Sequence, residues 1–283
     1  MERALFQDMK PLKIPELKSI YDMLSLKGKT AFITGGAGGF GRSCAAGMAE
    51  VGANVVLMDI PEREAELKEH TQAIKDRYGS QAIFTIGDVC SEEDVKRMLN
   101  ETVREFGTLD IVFSNAGIPT MAPIPVEIPL EEWRHEVDVN LTGMMLVNRA
   151  GASIMRDQGR GGSIINTASM SGLIIVRQPR AAMHRHMMSY AATKAAVIQL
   201  SKSIAMNYAA NNIRCNSISP GVMLSGMHDA IDKTRMNSVH ENIPLDRVGD
   251  LNEIMGIVLY LACDLSTYVT GANFVIDGGY TVW

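Results

Sequence analysis

Seven short apolar runs, spread along the chain from Lys29 onward, constrain its fold more than any other feature. They read TAFIT, NVVLMD, AIFTIGD, LDIVFSNAG, GSIINTAS, IRCNSISPG and NFVIDGG. Rich in Val, Ile and Phe and without polar alternation, such runs suit a sheet buried on both faces. Most are separated by longer stretches of helical pattern, and helical crossovers are what parallel strands require. The expectation is an α/β fold: a doubly wound parallel sheet with helices on both faces.

No Ser/Pro/Gly-rich linker, low-complexity stretch or short repeat divides the 283 residues, and 46% hydrophobic content is ample for one large core. A single domain is therefore expected over 26–283. An N-terminal extension, 1–25, precedes it, in which Pro11 and Pro15 interrupt any long helix before LKSIYDML offers a short amphipathic one. With 27 Lys+Arg against 32 Asp+Glu and no long basic run, nothing suggests a nucleic-acid partner. No apolar run approaches the roughly 18 residues of a membrane-spanning helix, and the opening MERALFQDMKPLKIPELK lacks a signal peptide's apolar core. A cytoplasmic protein with a small-molecule partner is expected. Cys44, Cys90, Cys215 and Cys263 are scattered without C-x-x-C spacing, which signals neither a zinc site nor a redox dithiol.

The stretch TGGAGGFG, Thr34 to Gly41, follows the first run and leads into the small and apolar helical pattern FGRSCAAGMAEVGA. Strand, glycine turn and helix together form a phosphate cradle: backbone N–H groups at a helix N-terminus, with the helix dipole behind them, favour a pyrophosphate. Its glycines fit two registers, Gly36-x-Gly38-x-x-Gly41 and Gly35-x-x-x-Gly39-x-Gly41. The second run ends at Asp59, 18 residues beyond Gly41, close to the spacing of a carboxylate that binds an adenosine ribose. Such a carboxylate repels a 2′-phosphate. Neither the loop nor Ile60-Pro61 supplies an offsetting cation, since Arg42 lies inside the helix and Arg63 beyond the proline, so NAD is favoured over NADP. Asp59 also fits an ordinary turn after a strand, as do Asp88 and the SNAG of Ser114 to Gly117.

In the helical pattern SYAATKAAVIQLSKSIAMNYAA, Tyr190 and Lys194 stand four apart and share a face. A phenol of pKa about 10 is a poor base near neutrality. A neighbouring ammonium and a positively charged nicotinamide would lower that pKa. The phenol could then exchange a proton with an alcohol or ketone during hydride transfer. Ser169, after the fifth run, could donate to the substrate oxygen. Tyr-x-x-x-Lys alone equally describes an exposed helix face; the glycine loop and strand-end serine favour the chemical reading.

In this order, T-G-x-x-x-G-x-G at Thr34 to Gly41, Asp59, Asp88-Val89, Asn115-Ala116-Gly117, Asn140 in VDVNLTG, Ser169, Tyr190-x-x-x-Lys194 and IRCNSISPG resemble the short-chain dehydrogenase/reductase family from about Leu26 to Trp283. The resemblance implies a Rossmann-type fold and takes Gly35, Gly39 and Gly41 as the register that matters, the other being incidental. It implies Tyr190 as acid/base, Lys194 as its electrostatic and ribose-binding partner, Ser169 as donor to the substrate oxygen, and Asn140 as holder of a water linking Lys194 to solvent. On the cofactor side it implies Gly35, Gly38, Gly39, Phe40 and Gly41, then Asp59 and Ile60, Asp88 and Val89, Asn115, Ala116 and Gly117, and finally Met223 and Ser225. NAD, an alcohol or ketone substrate and a homotetramer or homodimer go with it. Candidate substrates are polyols or sugars, hydroxysteroids and hydroxy acids. A silent NAD(H)-binding regulator and an epimerase or dehydratase are the competing readings.

Ser169 and Tyr190 are 21 positions apart, a longer interval than the family usually has. The extra residues fall in IIVRQPRAAMHRHMMS, with Arg177, Arg180, His184, Arg185 and His186. The two histidines have no nearby cysteine or carboxylate to complete a metal set. The arginines either meet a negatively charged substrate group or belong to a solvated or subunit-facing loop. Neutralising Arg177, Arg180 and Arg185 together decides: a substrate-facing loop loses selectivity for charged over neutral substrates, and a solvated one keeps it.

Overall fold

The structure, a computed structural model, describes residues 13–119, 128–176, 187–224 and 241–282. The expectations for Ser225, for the basic residues Arg177 to His186 and for most of MLSGMHDAIDKTRMNSVHEN lie outside the described residues. Each apolar run carries a strand: β1 Thr30–Thr34, β2 Asn54–Asp59, β3 Ala82–Ile86, β4 Ile111–Ser114, β5 Gly162–Thr167, β6 Ile213–Pro220 and β7 Asn273–Ile276. All pair in parallel, in the order β3-β2-β1-β4-β5-β6-β7. Strand order reverses between β1 and β4, which opens a crevice beyond their carboxyl ends.

The helices are α1 Ile20–Leu24, α2 Gly39–Glu50, α3 Glu64–Tyr78, α4 Glu92–Phe106, α5 Leu130–Val137, α6 Met144–Gln158, α7 Met188–Tyr208 and α8 Leu251–Ala262. Because successive strand side chains point to opposite faces, an unbroken apolar strand must be covered twice. Ala31 and Ile33 of β1, with Val55 and Leu57 of β2, join a core containing Met48, Leu67 and Val258 from α2, α3 and α8. Phe32, Val56 and Met58 join the opposite core, with Met98, Val147 and Ala205 from α4, α6 and α7. That is the doubly wound Rossmann-type sheet the sequence predicts. α1 buries none of its residues, whereas Leu26, just after it, is fully buried and its N–H donates to the Val51 carbonyl at 2.9 Å.

A chain of buried polar groups links the layers on the α6–α7 side. The Ser114 hydroxyl donates to Asn148 Oδ1 at 2.7 Å, Asn148 Nδ2 to Asn166 Oδ1 at 2.8 Å, and Asn166 Nδ2 to the Ser201 hydroxyl at 2.9 Å. Buried networks of this kind fix one arrangement of the elements they join, here β4, α6, β5 and α7, because every broken link strands a desolvated group. Among the described residues no helix is long and apolar enough to cross a membrane, and no three His, Cys, Asp or Glu side chains cluster as a metal site.

The glycine loop is sterically closed. A Cβ on Gly41 would lie 2.1 Å from the Gly35 carbonyl oxygen, and one on Gly36 would lie 2.8 Å from the Leu57 Cβ on β2. Gly36 is thus required by packing against β2. Gly41→Ala should lower thermal stability by ~2 kcal/mol, the usual scale of overpacking. Gly256→Ala, where an added methyl meets nothing within 4 Å, should raise it by about 0.5–1 kcal/mol. Thermal unfolding of the two variants checks both signs.

Candidate active site

The crevice at the carboxyl edge of the sheet is a cavity of about 710 Å³. At one end β1 turns into α2. Gly35 has φ of 66°, and the helix N-cap is Gly38, which offers no side chain to cap the first-turn N–H groups. Gly38, Gly39 and Phe40 line the cavity at this uncapped N-terminus, where the dipole and free donors favour an anion. Gly41 packs behind them on Gly35.

Asp59, the last residue of β2, lines the same end. Its Oδ2 accepts the Ala37 N–H and its Oδ1 the Ile60 N–H, both at 3.0 Å. Ile60, Asp88 and Val89 line the adjoining wall. One expectation fails here: Arg42 and Arg63 both line the cavity. The 3-10 turn Pro61–Arg63 folds Arg63 back so that its Nη2 donates to the Ala37 carbonyl at 3.3 Å, while its Nε pairs with Glu66 at 2.6 Å. Arg42 stands exposed on the first turns of α2. The cations that sequence spacing excluded from this end are present.

The middle of the cavity is a clamp between strand ends. The Thr34 hydroxyl accepts the N–H groups of Asn115 and Ala116 at 2.9 and 3.0 Å. Asn115 Nδ2 donates to the Thr34 carbonyl at 3.2 Å, and its Oδ1 accepts the Thr167 hydroxyl at 3.2 Å. The Asn115 side chain therefore ties β1, β4 and β5 together. Asn115, Ala116 and Gly117 still line the cavity.

At the other end stand Ser169, Tyr190 and Lys194. Ser169 follows β5 and caps a short turn, its Oγ accepting the Ser171 N–H at 3.1 Å. It also hydrogen-bonds Tyr190. Lys194, one helical turn beyond Tyr190 in α7, is 2% exposed, and its Nζ donates to the Thr167 carbonyl at 2.8 Å. Nζ lies 5.5 Å from the centre of the Tyr190 ring. Between α5 and α6 the helix widens into a π turn, Asp138–Gly143, a distortion that recurs at functional sites. The turn holds Asn140, whose Oδ1 accepts the Ile118 N–H and whose Nδ2 donates to the Ile118 carbonyl, each at 2.8 Å. Asn140 is fully buried behind the cavity wall, and Met223, 3% exposed, lines the wall beside Pro220 and Gly221.

Burial pushes the Tyr190 phenol up to about 12, against the lowering effect of the Ser169 hydrogen bond and with a further rise from Glu136. The same burial pulls Lys194 down to about 8, and Glu136 opposes it. Among the chain's own groups, loss of water around the phenol is the largest cause at Tyr190, and its direction is upward. The donor set nonetheless suits a dinucleotide. An uncapped helix start and a carboxylate flank one end, and a hydroxyl, a phenol and a buried amine the other. Sequence reasoning missed Thr34 and Thr167 as clamp hydroxyls, and it missed Glu136, although its position one turn before Asn140 was a visible signal.

Comparison with known proteins gives the same lineage. A family model described as enoyl-(acyl carrier protein) reductase matches residues 35–281. Sorbose reductase of Candida albicans is 35% identical over 96% of this chain and 94% of its own. A probable NADP-dependent mannitol dehydrogenase of Yarrowia lipolytica is 36% identical over 95% and 94%. Among solved structures, a short-chain type dehydrogenase/reductase from Mycobacterium marinum superposes with a TM-score of 0.86 at 38% identity, covering 93% of this chain and 99% of that one. The chain belongs to the short-chain dehydrogenase/reductase family and is an oxidoreductase built for a nicotinamide cofactor.

Proposed function

We propose that the protein interconverts a secondary alcohol and a ketone, with a sugar or polyol as substrate and NAD as cofactor. The observation that carries the reading is the single cavity joining the uncapped α2 start to Ser169, Tyr190 and Lys194. In this reading a bound oxidised nicotinamide would supply the hydride acceptor and a positive charge beside the phenol. Tyr190 takes the hydroxyl proton of the alcohol, or gives it to the ketone in reverse. Ser169 donates to the substrate oxygen and stabilises charge there. Lys194, held on the Thr167 carbonyl, presents its remaining donors to the nicotinamide ribose, and Asn140 holds a water behind it. Gly38 to Gly41 cradle the pyrophosphate, Asp59 and Ile60 the adenosine ribose, and Asp88 and Val89 the adenine. Ala116, Gly117, Met223 and Ser225 complete the nicotinamide side. The sugar and polyol substrates of the two named relatives support the substrate class.

Coenzyme choice rests on opposing charges. With an adenosine ribose beside Asp59, a 2′-phosphate would meet its carboxylate, and like charges there cost affinity. Arg63 is committed to Glu66 and the Ala37 carbonyl, which leaves Arg42 as the freer counter-charge. NAD is therefore the preferred coenzyme, with a preference that Arg42 moderates, although one named relative is NADP-dependent.

Steady-state assays over polyols, keto-sugars, hydroxysteroids and hydroxy acids with both coenzymes test the reading; turnover of none of them with either coenzyme would defeat it. Asp59→Ser should shift the NADP/NAD ratio of kcat/KM toward NADP by about tenfold or more, the equivalent of ~1.4 kcal/mol. Tyr190→Phe should keep coenzyme binding and lose turnover by about 10²-fold or more. Because burial raises the phenol, its basic form grows only as pH increases. Alcohol oxidation should accordingly rise with pH, while ketone reduction, which needs the protonated phenol, should fall at alkaline pH; pH profiles in the two directions check the sign.

A further inference from the structure

The mechanism above leaves one buried acid unused. Glu136, in α5, is fully buried, and a buried carboxylate is costly unless partners compensate it. Its Oε1 accepts Asn140 Nδ2 at 3.4 Å, and its Oε2 accepts the Ser189 hydroxyl. Asn140 Nδ2 also lies 3.4 Å from the Thr193 hydroxyl, which donates to the Tyr190 carbonyl at 2.8 Å. Ser189 and Thr193 are four apart in α7 and form one row; Tyr190 and Lys194, each the next residue, form the row beside it. The side chains of Glu136 and Asn140 thus grip the back of the same helical turn whose front carries the phenol and the amine. The front and back are close: a Cβ added to Gly117 would stand 3.1 Å from Asn140 Oδ1 and 3.3 Å from Lys194 Nζ.

We propose that Glu136 is a positioning residue for the acid–base pair, a buried carboxylate whose negative charge holds Lys194 as an ammonium and Tyr190 as a neutral phenol, while its Ser189 and Asn140 contacts fix their turn of helix. Among the described residues, the charged and titratable groups that bear on it include Tyr190 and Lys194 from α7, with His135 and Asp138 close to it in sequence on its own helical run. The opposed directions of burial and of Glu136 at Lys194, and their common direction at Tyr190, fit this role. A neutral residue would fill the same space but would remove the negative charge that favours the ammonium. The inference rests on Tyr190 and Lys194 being the acid–base pair.

The test is a spectroscopic titration of the Tyr190 phenolate, read as the ultraviolet difference between each protein and the same protein carrying Tyr190→Phe, alongside pH profiles of alcohol oxidation. In Glu136→Gln the phenolate should appear at a pH lower by about one unit, the effect of removing one nearby negative charge that raises the phenol. The rising limb of the oxidation profile should move the same way, and Glu136→Asp, which keeps the charge, should return both toward the wild type. Glu136→Met, a neutral residue of similar volume, serves as the second neutral variant and should titrate like Glu136→Gln. An unchanged phenolate midpoint in a folded neutral variant overturns the proposal, even if thermal stability falls. It is also overturned if neither neutral variant folds, for Glu136 is then a determinant of folding. Loss of turnover in Tyr190→Phe with an unmoved titration in Glu136→Gln defeats this inference alone. Full turnover in Tyr190→Phe defeats the functional reading instead.

Discussion

Much of the site follows from the burial of one amine. Lys194 is 2% exposed, and an ammonium withdrawn from water is stable only where other groups replace its hydration. The Thr167 carbonyl at 2.8 Å is one such group, and it sits at the last residue of β5. The hydrogen bond therefore pins α7 to the carboxyl end of a central strand. With α7 pinned there, Tyr190, one turn earlier, lines the crevice beside Ser169 on the same strand's exit.

The strands must hold still for that contact to have meaning, and two polar assemblies hold them. Thr34, Asn115 and Thr167 join β1, β4 and β5 at their carboxyl ends, across the point where strand order reverses. Beneath them Ser114, Asn148, Asn166 and Ser201 run from β4 through α6 and β5 to α7. Apolar packing alone would bury the same area in several registers of helix against sheet. Directional bonds between buried groups select one, since any other leaves donors or acceptors unsatisfied.

What the sequence made legible, and what it hid, divides along the range of the interactions. Each strand was visible because a strand covered on both faces must be apolar throughout, and NVVLMD begins and ends where β2 does. The runs AIFTIGD, LDIVFSNAG and NFVIDGG overran their strands, since glycine, asparagine and aspartate at their ends serve turns, which after the first two bound the crevice. The helix bearing Tyr190 and Lys194 was legible from its spacing. Arg42 and Arg63 were misjudged because separation along the chain says little about a long side chain once a 3-10 turn folds it back. The need for Gly36 shows only when β2 packs within contact of it. Glu136 resembled any acid on an amphipathic helix, and its burial depends on α7 packing over it, which only tertiary structure supplies.

The direction in which burial moves Tyr190 carries its own consequence. A phenol pushed up to about 12 holds its proton near neutrality, and on the proposed reading a positive charge brought beside it would lower that value. The low-dielectric surroundings that make the phenol reluctant also magnify whatever charge is brought next to it. A solvated tyrosine would begin closer to ionisation but would respond less to a neighbouring cation, because water would screen the two from each other. On the proposed reading, desolvation would thus couple the phenol to its surroundings, since a positive charge completing the site would lower its pKa more than it would in water.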